Sequence, residues 1–220
     1  STGPGFPATP GAFQQEYPAS HFFRTADGAR NWLAGGRNLG VSVTALAADP
    51  RTPATLYAGG QLFPGASAIY RSSDDGATWS AVATNLPGGV LTQLLIDPIT
   101  STTLYAVLSP AFRAPPSFGR EIWKSTDAGS TWTNISTGFP PGPGVVSGLV
   151  LDPQTPTTLY AATPCAILKS LDGGANWTGL SVTGLPLGSE FSALAIAPSS
   201  PRTLYATFQS GRELDGVIGS

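Results

Sequence analysis

An octet written four times constrains this chain more than any other feature. SSDDGATW occupies residues 72–79 and returns as STDAGSTW at 125–132 and SLDGGANW at 170–177. A degenerate copy, TADGARNW, stands at 25–32; it keeps the Thr, the Asp two later and the Trp seven later, with its glycine displaced by one to Gly28. A second motif alternates with the first. Tyr57, Tyr105, Tyr160 and Tyr205 each lie between Leu and Ala, and each is preceded by an X-Pro pair: Asp49-Pro50, Asp97-Pro98, Asp152-Pro153 and Ala197-Pro198. The octet tryptophans Trp32, Trp79, Trp132 and Trp177 are 47, 53 and 45 residues apart. Two motifs keeping one beat mean a repeat architecture, in which each unit buries its apolar face only against its neighbours.

One period reads as four short strands. VLTQLLID (90–97) is a mostly apolar run that Pro98 ends, because proline cannot donate to a sheet ladder. TLYAVL (103–108) is a second strand, and EIWKST (121–126) alternates apolar and polar residues as a third with one solvated face. The Asp-Ala-Gly turn follows, and TWTNIS (131–136) returns as the fourth. No stretch carries helical periodicity. A four-stranded antiparallel unit repeated at this length predicts an all-β fold of β-propeller blades. The octet has a physical reason. Its Asp accepts hydrogen bonds from backbone N–H groups further along and closes the hairpin. Its Gly takes a positive-φ position, its Ser or Thr satisfies another turn group, and its Trp is expected to bury in the core between blades. Thr25, Asp27 and Trp32; Ser72, Asp74, Gly76 and Trp79; Ser125, Asp127, Gly129 and Trp132; and Ser170, Asp172, Gly174 and Trp177 are therefore expected to be structural.

These octets resemble the Asp-box, or BNR, repeat (Ser-x-Asp-x-Gly-x-Thr-Trp) over the chain from about residue 20 onward. Such repeats occur in sialidases, sortilin-type receptors, xyloglucanases, a photosystem assembly factor and many unassigned bacterial surface proteins. The resemblance implies a propeller, while unrelated activities share the scaffold. The expected organisation is a Pro/Gly-rich lead-in at 1–20 and a propeller at 21–220, with units at 41–83, 90–136 and 145–181 and a split unit formed by 21–36 with 191–220. Either the split unit closes a four-bladed ring and hides its edges, or the chain is a window on a longer array.

Composition narrows the function. Charged residues are 11% and the net charge is −2, with no basic run, which argues against nucleic acid and against an anionic membrane surface. No apolar run reaches membrane-spanning length. A single cysteine, Cys165, allows no intrachain disulfide and no structural zinc site, and no EF-hand loop is present, so neither metal nor cofactor is expected. Low lysine with abundant Ser, Thr, Gly, Ala and Pro fits an extracellular, periplasmic or cell-surface setting.

Of nine aspartates, four lie in boxes (Asp27, Asp74, Asp127, Asp172) and three precede proline, leaving Asp75 and Asp215 with Glu16, Glu121, Glu190 and Glu213. Glycosidases need two carboxylates facing one bond, and no pair stands out. Phe23-Arg24-Thr25-Ala26 is the nearest string to a sialidase Phe-Arg-Ile-Pro segment and lacks its Ile-Pro. Arg24, Arg71, Lys124 and Lys169 hold one position just before each box, which reads as a blade-surface feature, and the in-register tyrosines read as core. His21 lacks a nucleophile elbow, and Cys165 reads as an inert thiol. What remains is the loop face. Ser109–Arg120 carries Phe112, Arg113, Phe118 and Arg120 among prolines, a patch suited to a protein or glycan partner. With the acids largely absorbed by the repeat, the ranking puts a non-catalytic exported module that scaffolds or binds a protein or glycan first. A fragment of a sialidase-like or xyloglucanase-like enzyme comes second, and an accessory subunit of a larger surface or membrane-associated complex third.

Overall fold

The computed structural model describes residues 22–62, 66–86, 89–110, 121–139, 146–164, 166–181, 183 and 189–210. Three whole four-stranded antiparallel blades lie between two half-blades. The first half-blade is β1 (Phe22–Arg24) with β2 (Leu33–Gly35). The first whole blade runs β3 (Ser42–Ala48), β4 (Leu56–Gln61), β5 (Ser67–Ser72) and β6 (Ser80–Leu86). The next comprises β7 (Gly89–Ile96), β8 (Leu104–Pro110), β9 (Glu121–Ser125) and β10 (Thr133–Asn134). The third has β11 (Gly148–Leu151), β12 (Leu159–Thr163), β13 (Ala166–Ser170) and β14 (Thr178–Leu180). The hairpin β15 (Ser189–Ala197) and β16 (Ser200–Ser210) follows. The only helical element among the described residues is a 3₁₀ turn at Ser136–Gly138.

Strands in each whole blade are joined in sequence order, so the four positions can be lettered A to D. The Asp-Pro pairs close the A–B turns. Asp49, Asp97 and Asp152 donate their N–H groups to Thr55, Thr103 and Thr158 at 2.9–3.0 Å. Their carboxylates accept from the amides of Arg51, Ile99 and Gln154, each at 2.8 Å. Ala197 has no carboxylate to organise such a loop, and β15 turns tightly into β16 with Ala197 paired to Ser200. A–B turns and box turns share one end of each blade, since Asp75, Ala128 and Gly173 donate backbone bonds to Ala54, Thr102 and Thr157. The B–C and D–A connections occupy the other end.

The core lies between blades, as a repeat with one-sided units requires. Tyr57, Ile69, Leu91, Leu94 and Leu104 fill one seam, and Tyr105, Ile122, Leu149, Leu168 and Trp177 the next. Smaller clusters attach the half-blades: Leu39, Val41 and Trp79 with Phe22 at one end, and Tyr160 and Ile167 with Phe191 at the other. The A strands are also stitched directly. Gln93 Nε2 donates to the Leu149 carbonyl at 2.8 Å while its Oε1 accepts from the Leu149 amide at 3.0 Å, so one side chain pairs like a peptide unit.

Among the described residues the four-bladed closure is not seen. β1–β2 and β15–β16 lie in separate two-stranded sheets, and no closed sheet exists among the described residues. A second correction concerns Trp32, which is 58% exposed where a buried indole is expected. The cause is visible in the other boxes. Trp79 is covered by Phe22 and Trp177 by Phe139, both edge-on, with ring centroids 5.3 and 5.1 Å apart. Each covering ring comes from the preceding blade, and no described strand precedes β1.

Candidate functional site

The box turns are the best-defined constellation. In the first whole blade Ser72 Oγ donates to Asp74 Oδ1 at 2.7 Å and accepts the Gly76 amide at 2.9 Å. Asp74 then accepts from the Thr78 amide at 2.9 Å and hydroxyl at 2.6 Å, and Trp79 Nε1 donates to the Gly76 carbonyl at 3.0 Å. Ser125, Asp127, Gly129, Thr131 and Trp132 repeat this network. Ser170, Asp172 and Gly174 do so with Asn176 in the Thr place, and there Trp177 donates to the Ile135 carbonyl of the preceding blade at 2.9 Å.

The degenerate copy makes the same turn. Thr25 Oγ1 donates to Asp27 Oδ1 at 2.8 Å, and Asp27 accepts from the Asn31 amide at 3.0 Å and side chain at 2.6 Å. Each box carries two successive left-handed residues: Gly28 and Ala29, Asp75 and Gly76, Ala128 and Gly129, Gly173 and Gly174. Gly76 must be glycine for a second reason, because a Cβ there would collide with the Phe22 ring. Ala29 occupies the equivalent place and accepts the positive φ with a side chain.

Hydrogen bonding sets the electrostatics. Asp74 and Asp127 sit at about 2, below the ordinary 3.8, chiefly because a threonine hydroxyl and then its amide donate to them; asparagine side-chain and backbone groups do the same for Asp172 and Asp27. All four carboxylates stay ionised, and each accepts at least three hydrogen bonds from its own turn. Burial pushes the Tyr105 hydroxyl up to about 12, with the Asp97 charge adding to it, as fits a core tyrosine.

Two of the four basic residues before the boxes, Arg24 and Lys124, are more than surface features. Arg24 pairs with Asp75 of the following box at 2.6 Å, and Lys124 Nζ donates to the Gly173 carbonyl of the following box at 3.0 Å. They clasp blade to blade, and the signal was present in the sequence as a shared position. The tyrosines separate in the structure: Tyr57, Tyr105 and Tyr160 are buried and Tyr205 is exposed.

Phe112, Arg113, Phe118 and Arg120 lie outside the described residues, as do His21, Cys165, Glu16, Glu213 and Asp215. Among the acids outside boxes and proline pairs, Asp75 is held by Arg24 at the box end. Glu121 opens β9 and Glu190 lies at the start of β15, so both stand at the opposite end, where the B–C and D–A connections run. Glu121 accepts the Trp123 indole N–H at 3.0 Å, which holds its carboxylate in place. Among the described residues no group of three His, Cys, Asp or Glu side chains is placed to hold a metal, and no helix is long and apolar enough to cross a membrane.

Known proteins resemble this chain in a consistent way. A xyloglucanase of Hypocrea jecorina (strain QM6a) is 37% identical over 116 residues, covering 47% of this chain and 13% of that protein. A xyloglucanase of a Paenibacillus species is 33% identical over 116 residues, covering 50% of this chain and 10% of that protein. The chain thus spans about a tenth of the length of these relatives. The solved structure of a Niastella koreensis GH74 enzyme superposes with a TM-score of 0.57 at 26% identity, over 77% of this chain and 26% of that one. These relatives overturn the ranking that placed a non-catalytic scaffolding or binding module first. Counting free carboxylates misled, because the box and Asp-Pro acids it set aside say nothing about what the chain's relatives do. Residues 67–207 match the Sortilin-Vps10 family (sortilin, neurotensin receptor 3), and since that match takes in well over half of the 220 residues, the chain belongs to this family of Asp-box-type β-propellers.

Proposed function

We propose that this chain is a propeller segment of a glycoside hydrolase that acts on xyloglucan. The observation that carries the proposal is the 37% identity to a xyloglucanase over 116 residues, a likeness well beyond what a shared octet produces. The structure supports it by dividing the acids. The box carboxylates are spent on turn hydrogen bonds, while Glu121 and Glu190 stand at the opposite end with the variable connections. That end is the substrate-facing one in this proposal. Glycoside cleavage needs one carboxyl to protonate the leaving oxygen and a second to act as nucleophile or base. A polysaccharide of this kind is met outside the cytoplasm, in keeping with the low lysine content and single cysteine.

The test is native electrophoresis of the chain through gels with and without xyloglucan, together with a reducing-sugar assay. Retardation specific to xyloglucan, with mannan as control, is the expected outcome. Where turnover is measured, Glu121→Gln or Glu190→Gln should lower it about 10²-fold or more if that residue transfers the proton. A folded protein that migrates identically in both gels and releases no reducing ends removes the proposal.

A further inference from the structure

In a repeat protein, a position that breaks the pattern without a structural gain is expected to be functional. One place near the start of each C strand is held by Ala68 in the first whole blade, Glu121 in the second and Ala166 in the third. The three share a register, opposite Gly60, Leu108 and Thr163 of their B strands. Ala68 is fully buried and Ala166 packs on a core cluster, each in the seam with the blade before it. Strand alternation puts Glu121 on the same face of β9 as Trp123, which packs into the seam between the first and second whole blades. A carboxylate thus stands where the other blades use a methyl group, and a charge so placed needs a partner.

The same blade holds a second departure, and the contrast is informative. Gln93 stands where the other A strands have Ala45, Gly148 and Ala193. Both ends of its amide are used on Leu149, so its place in the fold is explained. Glu121 is used at one end only. Its Oε2 accepts the Trp123 indole N–H at 3.0 Å, and among the described residues nothing bonds Oε1 and no cation pairs with it. The indole is a donor without charge, so it fixes the direction of the carboxylate and leaves the negative charge in place. Both residues belong to one strand, which holds the pair more rigidly than a loop would. They lie at the end of the blade opposite the box turns.

We propose that Trp123 is a positioning residue for Glu121, and that the second oxygen of Glu121 accepts hydroxyl groups of a bound xyloglucan sugar. A hydroxyl donating to a carboxylate forms a charge-assisted hydrogen bond, stronger than one between neutral groups. Trp123 acts through Glu121 and needs no contact of its own with the sugar. The inference rests on the carbohydrate reading above and adds to it which acid meets the sugar and what holds that acid.

The test compares the unaltered chain with Trp123→Phe, Glu121→Gln and the double variant in affinity electrophoresis through xyloglucan. Phenylalanine keeps an aromatic ring in the seam and removes the donor. Each single change should weaken the affinity about tenfold, the scale of one hydrogen bond to a charged group. The double variant should bind no more weakly than Glu121→Gln alone, because the two residues act as one unit. In NMR spectra the Trp123 indole N–H resonance, identified by its loss in Trp123→Phe, should move when a xyloglucan oligosaccharide is added and stay when a mannan oligosaccharide is added. A tryptophan that only packs would give additive losses and an unmoved resonance, and either result overturns the assignment. Should Trp123→Phe fail to fold, Glu121→Gln and the resonance decide by themselves. If xyloglucan retards the unaltered chain and the folded variants equally, this assignment falls and the proposed function stands. If a folded, unaltered chain is not retarded at all, both fall.

Discussion

Trp79 and Trp32 share one position of the repeat and meet different surroundings. Trp79 is 3% exposed, edge-on to Phe22 and bonded through its indole N–H to Gly76, whereas Trp32 stands in solvent. Truncating a buried aromatic removes its transfer free energy and leaves a cavity, at a cost of about 3–5 kcal/mol. Trp79→Ala should therefore lose about that much in urea denaturation, while Trp32→Ala, measured in dilute solution, should change stability by less than about 0.5 kcal/mol. Equal losses would mean that the two indoles are equally covered. The residue types of the box were legible in sequence because each has a local duty within eight residues. The exposure of Trp32 was not, because its cover comes from another blade.

The box turn centres on a carboxylate that accepts at least three hydrogen bonds, which links each hairpin to pH. Asp27, Asp74, Asp127 and Asp172 have folded values near 2, below the ordinary 3.8. A group whose folded value is depressed contributes stability that is complete above its unfolded value and is lost as pH falls through the folded one. The turn contribution is therefore constant above about pH 4 and disappears between about pH 4 and pH 2. Melting temperature followed from pH 6 to pH 2 should be flat at first and then fall across that window, and Asp127→Asn should shrink the fall. A profile already sloping between pH 6 and pH 5 would point to other groups. The A–B turns were readable only as the point where proline ends the strand; that the aspartate carboxylates organise them, and that Ala197 turns tightly without one, came from the structure.

At the scale of the whole molecule, stability resides in seams between blades. Gln93 is the clearest single example, pairing with both the amide and the carbonyl of Leu149 across a seam. Removing it strands two backbone groups, each costing about 1–3 kcal/mol where buried. Gln93→Ala should lower the urea midpoint by at least about 1 kcal/mol equivalent with the slope unchanged. A slope that falls instead would show the blades parting as separate units. Nothing in the sequence marked Gln93, because it lies outside both motifs and its partner is 56 residues away. The functional ranking failed at this scale too: it was argued from free carboxylates within the chain, whereas the relatives it matches, over about a tenth of their length, are xyloglucanases.

Local chemistry alone determined the repeat, its four-strand units, the turn residues and the all-β class, because a hairpin closed by Asp, Ser and Gly needs only neighbours in sequence. Tertiary structure decided which tryptophan and which tyrosine are buried, that Arg24 and Lys124 reach across to the next box, and that among the described residues the two half-blades lie in separate sheets. Each of these depends on a surface supplied by a different unit, and a periodic sequence presents the same residues whether or not that surface is there.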